Sequence, residues 1–144
     1  VSQAEAYEAY RKANFAQPPP EPRFHFRGSF GVTLFFAEFD AAVTYYTQVL
    51  GPPAYVEGRG TRGWPIGDGW LTLLKGTAGS PRNLEITLET ETPEQAEALQ
   101  RAFVEAGGTG AAPSDQLMYV PIRSCPVVDP FGTEILVIAP LDPW

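Results

Sequence analysis

One histidine, His25, and one cysteine, Cys125, are all that the sequence offers of the two commonest zinc-ligand types. Two such residues cannot build a Cys/His zinc centre, which takes four ligands. A lone cysteine cannot form an internal disulfide, which fits a reducing, cytoplasmic setting. No apolar run approaches the roughly 20 residues of a membrane span. No basic segment followed by an apolar one stands at the N-terminus, so no secretory leader is expected. Positive charge is scarce too. Ten Lys and Arg stand against seventeen Asp and Glu, a net charge of −7. Nothing resembles a basic, phosphate-tracking stripe, so a nucleic-acid partner is not expected. The balance favours neutral or cationic ligands.

What the chain has is turns and apolar runs. Fifteen prolines and fourteen glycines punctuate apolar segments rather than clustering in one tract. At 144 residues a single domain with a real core is expected. Ser2-Gln3-Ala4-Glu5 is a capping box, and Ala6, Tyr7, Tyr10 and Ala13 follow at helical spacing. Pro18-Pro19-Pro20 cannot continue that helix. Residues 1–22 therefore read as a helix and Pro-rich linker outside the main domain, 23–144.

The main domain repeats itself. A strand candidate runs from Phe24 to Phe36, clearest over Val32-Thr33-Leu34-Phe35-Phe36. Asp40 is placed as the cap of a helix whose stripe is Val43, Tyr46, Val49 and Leu50, stopped by Gly51-Pro52. A short strand at Ala54–Glu57 follows. Gly58 to Gly69, with five glycines, reads as a mobile loop or twisted hairpin, and Trp70–Leu74 as a strand. Then Leu84, Ile86 and Leu88 alternate with polar residues, a period of two. Thr92-Pro93-Glu94-Gln95 is a second capping box with Pro at the first helical position. Ala96, Leu99, Phe103 and Ala106 form the stripe of that helix, and Gly107-Gly108 ends it. A short strand at Gln116–Val120 leads to a closing hairpin around Asp129-Pro130-Phe131-Gly132, where Asp suits turn position i and Pro position i+1. Thr33 lies seven residues before Asp40, and Glu85 seven before Thr92. The two modules, 23–80 and 81–144, are each too small to bury a face alone. Pairing them makes a shared core and a concave surface.

Phe39-Asp40-Ala41-Ala42, Tyr45-Tyr46, Val49-Leu50-Gly51, Ala106-Gly107-Gly108 and Val128-Asp129-Pro130-Phe131-Gly132 resemble the vicinal oxygen chelate superfamily, which includes glyoxalase I, extradiol dioxygenases and bleomycin-resistance proteins. The resemblance covers about residues 30–140. It implies an α+β fold: paired βαβββ modules forming a curved, roughly eight-stranded mixed sheet around a cleft, with helices outside and a homodimer as the working form. It places the metal ligands of metal-using relatives at Thr33, Thr72, Glu85 and Leu136. Only Glu85 is a competent ligand, so no metal and no other cofactor is expected. Glu134 shares a strand face with Leu136, and with Glu85 is a candidate base.

The cleft is expected to be lined by Thr33, Phe35, Trp64, Thr72, Glu85, Thr87 and Leu136. An aromatic in a Gly-rich loop is suited to stacking on a flat ligand, which places Trp64 there; Trp70 reads as packed in the barrel or at a subunit contact. Arg59 and Arg62 are suited to clamping a carboxylate but more commonly stay exposed. His25 reads as a surface or interface residue, and Cys125 as a small buried hydrophobe. The Gly-rich stretch is not a phosphate cradle, since no Lys-Ser/Thr and no helix follows it. The expected function is metal-free binding or sequestration of a small, partly aromatic or cationic molecule, of the bleomycin-resistance type. The alternative is a lyase, isomerase or dioxygenase of the same superfamily, using Glu85 or Glu134 as base or as a sparse metal ligand. A third possibility is a degenerate module kept for assembly, with the N-terminal helix as docking arm.

Overall fold

The computed structural model describes residues 2–23, 31–76 and 84–141. It holds three helices and two mixed sheets in the order of the repeat. Helix α1 (Gln3–Asn14) comes first. Module one is β1 (Val32–Phe36), α2 (Phe39–Leu50), β2 (Tyr55–Glu57), β3 (Thr61–Ile66) and β4 (Gly69–Lys75). Module two is β5 (Glu85–Glu89), α3 (Pro93–Glu105), β6 (Thr109–Gly110), β7 (Ser114–Met118), β8 (Val120–Val128) and β9 (Glu134–Pro140). The first sheet runs β1-β4-β3-β2 and the second β5-β9-β8-β6, with β7 also on β8. Since β6 and β7 both pair with β8 at successive positions, they fill one strand place between them, and both modules are βαβββ. The first strand of each module pairs in parallel with its last, and the rest is antiparallel. The fold is thus α+β with paired modules. The expected eight-stranded sheet is two sheets, because among the described residues β1 and β5 each pair on one side only.

Local chemistry accounts for most element ends. Ser2 and Glu5 form the reciprocal capping box of α1. Thr92 caps α3 by accepting from the Gln95 N–H at 3.2 Å, and the Gln95 side chain reaches back to the Glu91 N–H at 3.1 Å rather than to Thr92. Asp40 is not the cap of α2. The N-cap is Glu38, whose side chain makes no cap bond, and Asp40 sits in the first turn, where its charge complements the helix dipole. The connection from strand to cap is therefore two residues shorter in module one than the matched seven-residue spacing implies. Gly51 ends α2 at φ +91°, a conformation that side chains with a Cβ avoid. The Gly-rich stretch takes the hairpin option: β3 pairs with β2 and β4. Of the Phe24–Phe36 strand residues 31–36 are described, and 32–36 form β1; residues 24–30, with His25, lie outside the described residues.

Alternation decides which face each strand buries. Leu34 and Phe36 are buried while Thr33 and Phe35 are exposed; Ile86 and Leu88 are buried while Glu85, Thr87 and Glu89 are exposed. The buried faces of both sheets, with α2 and α3, form one core that includes Tyr46, Trp64, Leu73, Phe103, Ile135 and Val137. Two tyrosines lock the modules together across it. Tyr45 donates to the Phe103 carbonyl at 2.8 Å, and Tyr46 donates to Asp129 Oδ2 at 2.7 Å. Asp129 also accepts at Oδ1 from the N–H groups of Phe131 and Thr133, at 2.9 and 2.8 Å. The closing turn is thereby both a local Asx-type turn and the anchor for a helix of the other module. Burial, then the negative charge of Asp129, raises the pKa of both phenols, that of Tyr45 to about 12.

Helix α1 has no buried residue. Its described hydrogen bonds to the rest of the chain converge on one residue. The Tyr7 hydroxyl donates to the Tyr119 carbonyl at 3.3 Å, and the Tyr119 N–H donates to the Tyr10 hydroxyl at 2.8 Å. Tyr119, 71% exposed, stands at φ +66° in the turn between β7 and β8. No helix among the described residues is long and apolar enough to cross a membrane.

Candidate functional site

The described residues enclose one pocket that joins the two modules. It has a volume of about 370 Å³ and lies between Val32, Ile66, Trp70 and Leu71 of module one and residues 84–88 of module two. Its position follows from the topology. β1 and β5 are the edge strands of their sheets, and the space where the edges approach is left to side chains. Seven of the nine lining residues are apolar; Thr87 and Glu85 supply the polar groups. A small apolar hollow with few polar groups is the usual composition of a small-molecule site.

Of the seven residues expected to line the cleft, the structure puts Glu85 and Thr87 on this pocket. Thr33, Phe35 and Thr72 lie together on the open face of the first sheet, and Leu136 on that of the second, all four outside the pocket lining. Trp64 is corrected outright. It is 2% exposed, packs against Tyr46, and donates through Nε1 to the Gly51 carbonyl at 2.8 Å, so it is a core residue that ties β3 to the end of α2. Trp70 is not packed in the barrel. It is 45% exposed, borders the pocket, and meets the Tyr55 ring edge-on at 6.3 Å. Gly63 makes room for the Trp70 indole, since a Cβ there would stand 3.2 Å from Cε3. Arg62 is no carboxylate clamp. Its guanidinium donates to the Gly58 and Thr61 carbonyls at 2.9 and 2.7 Å and lies over the Phe39 ring. Cys125 is fully buried, and burial, then the charge of Glu97, raises its thiol pKa.

Register shows how the positions implied for metal ligation pair. Thr33 and Thr72 are direct neighbours across β1 and β4. The neighbour of Glu85 across β5 and β9 is Glu134, and Leu136 lies opposite Thr87. The positions implied for metal ligation thus carry two hydroxyls, one carboxylate and a hydrocarbon, and exchanging Leu136 for Glu134 still gives only two carboxylates. A divalent catalytic centre takes about three His or carboxylate ligands, so this donor set does not fit one. Among the described residues no three His, Cys, Asp or Glu side chains are grouped to hold a metal ion.

The lining residues that composition alone missed are Val32, Ile66, Trp70, Leu71, Leu84, Ile86 and Leu88. Their apolar character was legible; their placement at a junction of two sheet edges required the pairing.

Solved structures share this architecture. A glyoxalase/bleomycin resistance protein from Albidiferax ferrireducens matches at TM-score 0.65 and 18% identity, over 76% of this chain and 96% of the other. A glyoxalase/bleomycin resistance protein/dioxygenase family enzyme from Burkholderia phytofirmans matches at TM-score 0.63 and 17% identity, over 77% and 97%. A glyoxalase/bleomycin resistance protein from Catenulispora acidiphila matches at TM-score 0.57 and 21% identity, over 77% and 96%. No protein-family model and no curated protein matches the chain. At these identities the agreement is one of fold: the chain has the paired-module fold of the glyoxalase/bleomycin-resistance/dioxygenase proteins.

Proposed function

We propose that this chain, with its glyoxalase/bleomycin-resistance fold, binds or sequesters a small, largely apolar molecule in the inter-module pocket without using a metal. The observation that carries the reading is the pocket itself: a hollow of about 370 Å³ spanning both modules, with seven apolar lining residues, one hydroxyl and one carboxylate. The donor set at the family's metal positions supports the metal-free part. The test is a thermal-shift screen on protein treated with chelator. A binder present at about 100 times its Kd should raise unfolding free energy by about 2.7 kcal/mol. Binding that disappears with the chelator and returns with one metal ion per chain would overturn the reading.

A second reading, an enzyme of the same fold, has one observation in its favour. Glu85 and Glu134 are direct neighbours on an exposed strand face, where either could take a proton from a bound carbon acid. Under it, Glu85→Gln or Glu134→Gln abolishes turnover while the fold persists; unchanged kinetics in both would discard it.

We also propose a homodimer in a cytoplasmic setting. Phe35, Tyr55 and Trp70, each close to half exposed, share the open face of the first sheet, and a second copy would cover them. Sedimentation of a monomer at micromolar concentration would remove the dimer.

A further inference from the structure

We infer that the occupant of the inter-module pocket is an organic cation, a protonated or quaternary amine on a hydrocarbon or aromatic body. This rests on the binding reading above and narrows it. Glu85 is the one charged residue among those described as lining the pocket, and no Lys, Arg or His is among them. The negative charge there is doubled from outside the lining, because Glu134 is the direct cross-strand neighbour of Glu85 on the same face. Glu89 continues that face two residues along β5, also exposed. Like charges directly opposed across strands repel. A cation seated at Glu85 relieves that repulsion, a neutral molecule leaves it, and an anion adds to it. The pair of carboxylates therefore favours one class of ligand. Apart from the Thr87 hydroxyl the rest of the wall is apolar, with Leu84 just before the strand that bears Glu85 and Ile86 and Leu88 on it, so the body next to the charged head is apolar. The volume is at the low end of the roughly 300–1,000 Å³ range of ligand pockets, which suits a compact molecule. The net charge of −7 would favour the approach of the same class.

The experiment is a set of 1H–15N titrations at low ionic strength with three benzyl compounds that differ in charge. They are benzyltrimethylammonium, its carbon isostere neopentylbenzene, and phenylacetate as the anion. The cation should bind most tightly and shift the amides of Leu84 to Leu88 and the indole resonance of Trp70. Glu85→Gln should weaken the cation about two- to five-fold, as loss of an exposed charge contact does, and leave the isostere unchanged. Glu134→Gln should weaken the cation by less. Both side chains are exposed, so both variants should fold, which circular dichroism checks. If neopentylbenzene or phenylacetate binds wild type as tightly as the cation, the charge assignment is wrong while the pocket remains a binding site. If none of the three shifts the pocket resonances, the assignment falls together with the binding reading.

Discussion

Removing one oxygen atom should loosen the two modules. In Tyr46→Phe the ring, fully buried among Phe36, Tyr45, Trp64 and Phe103, keeps its shape, so no cavity forms and packing stays constant. What goes is the 2.7 Å bond to Asp129 Oδ2. Asp129 is 4% exposed and its other oxygen retains two backbone donors, so half of its acceptor capacity is orphaned. A hydrogen bond to a charged group contributes about 1.5–3 kcal/mol, and we expect a loss of about 2 kcal/mol. For a chain of this length that lowers Tm by roughly 8 °C. Urea unfolding followed by circular dichroism should show a shifted midpoint at unchanged m-value, since the surface exposed on unfolding is the same. A double-mutant cycle with Asp129→Ala should return a coupling of about 1–2 kcal/mol. A Tyr46→Phe protein within about 0.5 kcal/mol of wild type, or strict additivity in the cycle, would show that this contact does not hold the halves together.

Three further outcomes follow from the same geometry. Gly108→Ala should cost about 1–3 kcal/mol, because its Cβ would stand 2.7 Å from the Tyr45 hydroxyl and 2.8 Å from the Val128 carbonyl; a neutral effect in urea titration would contradict that close approach. Tyr45 and Tyr46 have raised pKa values, so the fold favours their protonated forms; that stability is complete below about pH 10 and is lost as pH rises through about 12 for Tyr45. Absorbance titration at alkaline pH should therefore show at least two of the six tyrosines ionising well above pH 10; ionisation of all six near pH 10 in a folded protein would refute it. Glu134→Gln should stabilise the ligand-free protein by a few tenths of a kcal/mol at low salt and by nothing measurable at high salt, since the relieved repulsion is between exposed groups. Equal stability at low salt would mean that Glu85 and Glu134 do not oppose each other.

The repeat was legible because it is written in chemistry that acts locally. Thr92 with Pro93, the Gly51 stop and the Asp129 turn each specify backbone geometry from residues within four positions. The alternation of Ile86 and Leu88 with Glu85 and Thr87 fixed the inward face of β5 from period alone. Asp40 misled because a carboxylate suits both the cap and the first turn, and a side chain two residues inside a helix resembles one at its edge. Trp64 was misassigned for a different reason. In β3 the glycine at 63 and the proline at 65 hide the period of two, so nothing local says that Trp64 faces inward. Its partner Leu71 across β4 says so, and that register is set by the turn at Gly67-Asp68. One step along β4 reverses the face, and Trp70 comes out.

The same dependence on register explains why the site was harder to read than the fold. A half-domain's core is a property of each strand's own alternation, whereas the pocket is a property of two edges brought together, and no single strand encodes it. Tyr45 and Tyr46 bring them together asymmetrically. Module one supplies the hydroxyls and module two the acceptors, at the Phe103 carbonyl and at Asp129. That asymmetry has a consequence for the pocket. The bond from α2 to the closing turn links the module that carries Val32 and Leu71 to the one that carries Glu85 and Leu84. Tyr46→Phe should therefore weaken binding of a pocket ligand as well as lower stability, although Tyr46 does not line the pocket. A Tyr46→Phe protein that is less stable yet binds benzyltrimethylammonium with wild-type affinity would place the two edges under the control of some other contact.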